Sequence, residues 1–389
     1  MSHYDDLETR SADEREAAQL AALKAQLAQI DGAAEVESLA DLTKFPVLRK
    51  SRLAEWQAAQ RPFGGIRASN VTHMFQSPGP IYEPGSVASA DWWRMGRFLH
   101  AVGIGTTDVV QNCFGYHLTP AGHMFESGAR AVGAVVIPAG TGQTDLQVRA
   151  AADLGATAYA GTPDYLKVIL DRAAEMGETL GIRRAAVGGG ALFPSLRQDY
   201  ADRGILCLQC YATADLGNIA YESESQEGMI IDEGVIVEIV RPGTGDPLPE
   251  GEVGEVVVTS LNPDYPLIRF ATGDLSAMMP GQSPCGRTNA RIKGWMGRAD
   301  QTTKIKGMFV RPEQVAELVA RHPEITAARV IATRDGEMDA MTVQVKAEGG
   351  EEAAWAASVT QVLKMKGRVE RVDTLPNDGL VIEDRRDYG

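Results

Sequence analysis

The sequence predicts an α/β protein. It reads as a large N-terminal domain of wound mixed and parallel sheets with an antiparallel β subdomain, followed by a small α+β C-terminal domain. Three observations predict it. Between Asp91 and Gly217, apolar strand-like runs alternate with helical stretches, the pattern of a parallel sheet covered on both faces. From about Gly228 the apolar period shortens to two, as in antiparallel strands. From about 303 a strand, helix, strand, strand, helix and strand follow one another as a compact module.

Composition narrows the class. The chain has 389 residues, 44% of them hydrophobic and 23% charged, which is ordinary for a soluble globular protein of two or three domains. No run of 18 apolar residues occurs, so no membrane span is expected. The opening MSHYDDLETRSADEREAAQL is polar and charged, unlike a signal or transit peptide, so the expected location is the cytoplasm. A net charge of −14 argues against broad nucleic-acid binding, while an anionic ligand in a locally basic pocket stays compatible. Of the cysteines, Cys207 and Cys210 form a CxxC inside the strand-like GILCLQCYA, not at a helix start, and read as buried structural residues. Cys113 and Cys285 do not complete a zinc set.

Taken in order, residues 11–30 show an amphipathic helical pattern, broken at Asp41–Pro46. VLRKSRLAEWQAAQ resumes a helix that Gly64-Gly65 ends. VTHMFQSPGPIYEPGS is an apolar strand followed by a loop. Ser77 and Gly79 in that loop could cradle phosphate through backbone N–H groups, or the loop is a rigid turn stiffened by its prolines. Helices are expected at Asp91–Val102, 121–131, Thr144–Leu154, Pro163–Glu175 and Pro194–Arg203. The strands between them are DVVQNCF, AVGAVVIP, ATAYAG, AAVGGGA and ILCLQCYAT. Ligands of such sheets sit where loops leave the carboxyl ends of strands, here GYHLTPAG, VGGGA and YATADLG. GMIIDEGVIVEIVRPG and EVGEVVVTSL supply the antiparallel strands. In the tail the helices are expected at Pro312–Arg321 and Ala353–Met365.

The most informative stretch runs from Tyr265 to Gly307. An apolar run ends in Thr272-Gly273-Asp274, and Gly297-Arg298-Ala299-Asp300 precedes a basic alternating strand. A carboxylate just after a buried strand suits a vicinal diol, and a nearby guanidinium can fork onto phosphate.

Two motifs here, YPLIRFATGD and GRADQTTKIKGMFVRPEQVAE, resemble the signatures of the adenylate-forming acyl-CoA synthetase superfamily, in its phenylacetate–CoA ligase branch. The resemblance runs from about Leu42 to the C-terminus. It implies a carboxylic acid, aromatic or small, activated by ATP as an acyl-adenylate with magnesium, then transferred to CoA, leaving AMP. It also implies a large adenylate-binding domain at 1–298, a hinge at 299–302 and a small mobile domain at 303–389. Carried over by motif, Asp274 binds the ribose hydroxyls, Arg298 the ribose or phosphate, and Asp300 is the hinge. Tyr211-Ala212-Thr213-Ala214-Asp215 stands for the family's YGLSE, placing Tyr211, Ala212 and Thr213 at the nucleotide and Asp215 at magnesium. Gly188, Gly189 and Gly190 match the glycine segment beside adenine. Phe114, Tyr116 and His117 match the turn that lines the acyl pocket, the last two being also readable as core and surface. Lys304 and Lys306 read as a solvated strand face or as groups near phosphate or CoA. A homodimer is the oligomer the resemblance suggests.

The chain also departs from the family pattern. SPGPIYEP stands for a Ser/Thr/Gly-rich phosphate loop, without its Lys and with an added Glu83. Leu380 occupies the place of the lysine that contacts the carboxylate and α-phosphate during adenylation, unless Lys364 or Lys366 substitutes. Ser223, Ile230, Ser283 and Cys285 stand where some relatives carry a Cys/His site, so no zinc is expected. These departures leave two further readings. One is a diverged protein, impaired in adenylation, that only binds nucleotide or acyl-adenylate or only transfers acyl groups. The other is an enzyme that passes its acyl group to a carrier protein or an amine.

Overall fold

The structure, a computed structural model, describes residues 3–299, 301, 303–305, 308–335 and 338–386. The chain divides into two compact units. The first comprises Met1–Val237, Val258–Phe270 and Met279–Gly294, and the second Glu238–Val257, Ala271–Met278 and Trp295–Gly389.

A large sheet forms the centre of the first unit. Strands Val135–Ile137, Val109–Asn112, Ala158–Gly161, Arg184–Val187 and Leu206–Thr213 pair in parallel in that spatial order. Gly217–Tyr221, Met229–Ile231 and Arg291–Ile292 extend it antiparallel. Ala158–Gly161 is buried throughout, as a central parallel strand with both faces covered must be. The connecting helices are Ala121–Ala131, Thr144–Asp153, Pro163–Met176 and Pro194–Asp202. Two of them open with proline at the first turn, where no N–H is needed. One core of this unit gathers Tyr159, Tyr200, Ala185, Val187 and Cys207.

Three expectations change in detail. The segment expected as a helix from Val47 opens with a short strand, Leu48–Arg49, and a 3₁₀ turn, Lys50–Arg52, before the helix Leu53–Ala59. The Leu48 N–H donates to the Arg269 carbonyl at 2.9 Å, which draws the backbone out of helical geometry. The helix expected from Asp91 starts at Met95, because the Asp91 carboxylate accepts from the N–H groups of Met95 and Gly96 as a cap. The antiparallel stretch after Gly228 is split: Met229–Ile231 joins the large sheet, whereas Val235–Val240, Gly254–Ser260 and Phe270–Ser276 lie together in another. None of the described helices is long and apolar enough to cross a membrane.

The second unit contains the C-terminal module. Its sheet runs Arg368–Arg371, Met338–Ala347, Ile325–Asp335, Ile382–Asp384, with the two long strands antiparallel and both outer strands parallel to their neighbours. Helices Pro312–Ala320 and Glu352–Leu363 cover a core of Val330, Val343, Leu318, Val359 and Trp355. Ile382–Asp384 was not expected as a strand, since IEDRRD reads as polar tail. Trp355 is fully buried, and its indole N–H donates to the Glu324 carboxylate at 3.0 Å. Trp355→Ala therefore leaves a large cavity. Denaturant unfolding should show a loss of about 3–5 kcal/mol.

Candidate functional site

In the first unit, the strand and loop expected around Ser77 are a hairpin. His73–Ser77 pairs antiparallel with Ile81–Gly85, Ser77 opposite Ile81 and Phe75 opposite Glu83. The turn is Pro78-Gly79-Pro80. Its two prolines have no N–H, so within the turn Gly79 carries the backbone donor. The Gln76 N–H donates to the Leu118 carbonyl at 2.8 Å, which ties this hairpin to the aromatic turn.

In that aromatic turn Phe114 is buried and stacks on Phe125, ring centroids 4.2 Å apart. The Tyr116 hydroxyl accepts from the Asn112 amide at 2.8 Å, and its ring meets His123 edge-on. His117 is exposed. Gly188–Gly190 follows the strand Arg184–Val187. A β-carbon on Gly189 would lie 3.7 Å from the Phe114 ring, and one on Gly188 would lie 3.0 Å from the Cys210 sulfur. Gly189 has φ +70°, a conformation that favours glycine. The structure thus brings Phe114 and the glycine run together.

Tyr211 is buried in the strand Leu206–Thr213, and the register shifts between Tyr211 and Ala212. Such a bulge re-aims side chains at the end of a strand. The strand then turns through Ala214–Leu216, with the Thr213 hydroxyl accepting from the Leu216 N–H at 3.1 Å. Asp215 sits in this turn. Its side chain is 0% exposed, and its Oδ2 accepts from the Lys50 Nζ at 2.6 Å. Oδ1 of Asp215 makes no hydrogen bond. Lys50 has no local signature here, because nothing in KSR separates the partner of a buried acid from a surface cation.

In the second unit, Asp274 and Arg298 are paired. Asp274 lies within the strand Phe270–Ser276 and not just after it, the ladder being extended by a bridge between Asp274 and Arg298. The Leu275 N–H donates to the Gly297 carbonyl and the Ala299 N–H to the Gly273 carbonyl, so GRA is bound edge to edge against TGD. Arg298 Nη1 donates to Asp274 Oδ1 at 2.9 Å, and Trp295 Nε1 donates to the same oxygen at 3.1 Å. Trp295, 55% exposed, was not anticipated, although a lone Trp between glycines just before GRAD was the available signal.

Asp300 and Lys306 lie outside the described residues, as does the side chain of Lys304. Gln301 is described. Its Oε1 accepts from the N–H groups of both Val381 and Ile382, at 2.9 and 2.8 Å, which holds the segment after Leu380. Leu380 packs against Val253, Leu275, Ala277 and Ala299. Lys364 and Lys366 are exposed.

Burial pushes the Cys113 and Cys207 thiols up to about 12. Cys207 and Cys210, three apart on one strand, point to opposite faces, which removes them as a redox pair. Among the described residues no three His, Cys, Asp or Glu side chains gather as a metal cage. A cleft of about 330 Å³ lined by Leu27, Ile30, Phe45 and Ile268 shares no residue with the candidate set.

Comparison with known proteins gives a consistent picture. The AMP-binding enzyme family matches residues 94–262. A phenylacetate-coenzyme A ligase of Aromatoleum evansii is 30% identical over 330 residues, covering 80% of this chain and 73% of that protein. A phenylacetate-coenzyme A ligase of Escherichia coli is 29% identical over 376 residues, covering 88% and 84%. Among solved structures, a 2-hydroxyisobutyryl-CoA ligase in the postadenylation state with 2-HIB-AMP superposes with a TM-score of 0.70 at 23% identity, covering 98% of this chain and 92% of that one. The open conformation of a 2-hydroxyisobutyryl-CoA ligase with 2-HIB-AMP and CoA gives 0.69 at 22% identity, covering 94% and 89%. At such identity the structural likeness establishes the fold.

The Lys50–Asp215 pair can be tested by stability alone. Lys50→Met leaves a buried carboxylate without its charged donor, and a loss of about 1–3 kcal/mol is expected in chemical denaturation.

Proposed function

This chain belongs to the phenylacetate–CoA ligase family of AMP-forming acyl-CoA ligases, and from that premise we propose that it activates an aromatic or other small carboxylic acid and transfers it to CoA. An acid oxygen attacks the α-phosphorus of ATP, the bond to the β-phosphate oxygen breaks, and pyrophosphate leaves. The sulfur of CoA then attacks the acyl carbon, its proton passes to solvent, and AMP leaves. Activation exchanges a poor leaving group for a good one.

The pairing of Asp274 with Arg298 is the observation that carries this reading. The two residues come from the motifs that define the family, and together they offer an acid for a ribose diol and a guanidinium for a phosphate. In the first unit, Gly188–Gly190 and Tyr211–Thr213 would take the nucleotide base. Phe114, Tyr116 and His117 would face the acyl group, and Ser77 and Gly79 the polyphosphate. Asp215 fits magnesium, since its buried Oδ1 has no hydrogen-bond partner. Magnesium bound there would neutralise polyphosphate charge. We retain 299–302 as the hinge and 303–389 as the mobile domain, with Asp300 taking up the rotation. A homodimer in the cytoplasm is the setting we infer, where ATP and CoA are at hand.

One observation favours a second reading, a protein that binds the adenylate but forms it slowly. Leu380 is set among apolar side chains, and Lys364 and Lys366 are at the surface. A cation aimed at developing phosphate charge is commonly worth several kcal/mol in the transition state, and leucine supplies none.

Acid-dependent ATP–pyrophosphate exchange with a panel of carboxylates distinguishes the two. Exchange followed by CoA thioester formation supports the ligase. No exchange with any acid, beside tight binding of a non-hydrolysable acyl-adenylate mimic, supports the second reading. Asp274→Ala should weaken binding of that mimic about 10- to 100-fold, the loss of a charged hydrogen bond; unchanged binding would remove the ribose role. Leu380→Lys should raise exchange at least tenfold, and an unchanged rate would count against this position as the lost lysine.

A further inference from the structure

Glu83 is a carboxylate in a place that ought to attract phosphate. It stands on the return strand of the phosphate hairpin, where Ile81, Glu83 and Gly85 alternate inward, and it is fully buried. Neither of its oxygens makes a hydrogen bond of regular geometry. Burial pushes its carboxyl up to about 7, the Asp215 charge adds to that, and Ser77 and Lys50 pull the other way. The Tyr265 hydroxyl is buried without a partner as well, and burial, then Asp215 and Glu83, raise its pKa. Both Glu83 oxygens, Asp215 Oδ1 and the Tyr265 hydroxyl are thus buried without a regular hydrogen bond, Glu83 and Tyr265 both feel the Asp215 charge, and Lys50 holds the remaining oxygen of Asp215.

A buried carboxylate without donors is costly unless a cation or a proton joins it. Oxygen donors in this number suit a hard divalent ion. Magnesium commonly takes one or two carboxylates and completes its shell with water and substrate phosphates, so a full protein cage is not required. We propose that Glu83 and Asp215 together hold a divalent cation of the magnesium class, with Lys50 as the resident counter-charge that the ion displaces from Asp215. The assignment of Glu83 rests on the ligase reading for its place beside the polyphosphate. It also accounts for a hairpin that carries an acid, three prolines and no lysine: the phosphates are met by a bound ion in place of backbone donors and a fixed ammonium. Lys50, once displaced, is left with a flexible cationic arm at the same spot.

The test uses Mn²⁺ alone as the probe, titrated against the full chain and followed by the electron paramagnetic resonance of free Mn²⁺. Glu83→Gln, which keeps shape and removes charge, should weaken Mn²⁺ binding at least tenfold, since even outer-shell partners of metal ligands carry effects of that size. Lys50→Met should strengthen it by removing the competitor. Thermal melts serve as a second readout if Lys50→Met folds poorly. At one Mn²⁺ concentration the Tm of the natural chain should rise more than that of Glu83→Gln. Equal Mn²⁺ affinity in the natural chain and Glu83→Gln, both folded by circular dichroism, overturns the proposal. So does a Glu83→Gln chain that Mn²⁺ stabilises as much as it stabilises the natural chain. Exchange measured on the same samples reports on the ligase reading separately: a Glu83-dependent ion without exchange sustains the cation site and removes the adenylation step.

Discussion

The Asp215 carboxylate is wholly buried, and a buried charge has to be met by another. That requirement organises the ends of several elements in the first unit. It places Lys50 at 2.6 Å, which in turn fixes the start of the segment before the helix Leu53–Ala59. The same helix carries Gln57, whose amide donates to the Tyr82 carbonyl at 2.7 Å and accepts from the Tyr82 N–H at 2.8 Å. Tyr82 is the neighbour of Glu83, so one short N-terminal element holds both the counter-charge of one acid and the backbone beside the other.

Close backbone approach is the second constraint. Gly188 leaves room for the Cys210 sulfur, and the Phe114 ring lies within ordinary contact distance of Gly189, so the glycine run sits against both the Cys210 strand and the aromatic turn. Bulk at Gly188 would push the strand holding Tyr211 away, while Gly189 also needs its positive φ. The alternation of helices and parallel strands supplies the frame, Gly188 sets how closely the Cys210 strand approaches, and Gly189 sets the turn of the loop.

The frame was legible in the sequence because alternating patterns of ten or so residues carry their own periodicity. The helices Ala121–Ala131 and Pro163–Met176 follow from apolar spacing and from proline at a helix start. Local patterns fail where a contact distant in sequence decides. Leu48 turns from helix to strand on the carbonyl of Arg269, and Ile382–Asp384 becomes a strand only because Ile325–Asp335 offers an edge. The candidate site divides in the same way. Asp274 and Arg298 were readable, since their motifs are short and local, and the structure brings them together. Lys50 carries no local signature, and its role depends on pairing across the fold.

Charge bookkeeping links the departures from the family pattern. Taking away the phosphate-loop lysine and the lysine at 380 removes two positive charges, and adding Glu83 contributes one more negative. Read singly, each change weakens the hold on an anionic nucleotide. Glu83 and Asp215 side by side make a different device, because two acids gain most from an ion that itself carries two positive charges. A fixed ammonium attracts phosphate at all times, whereas a carboxylate pair attracts it only through the ion it has bound. Lys50 then has a function that a surface lysine lacks: it keeps the pair from standing uncompensated between occupancies. The acid in the hairpin and the lysine ahead of the helix are in this sense one adaptation, and neither makes physical sense in that dry position without the other.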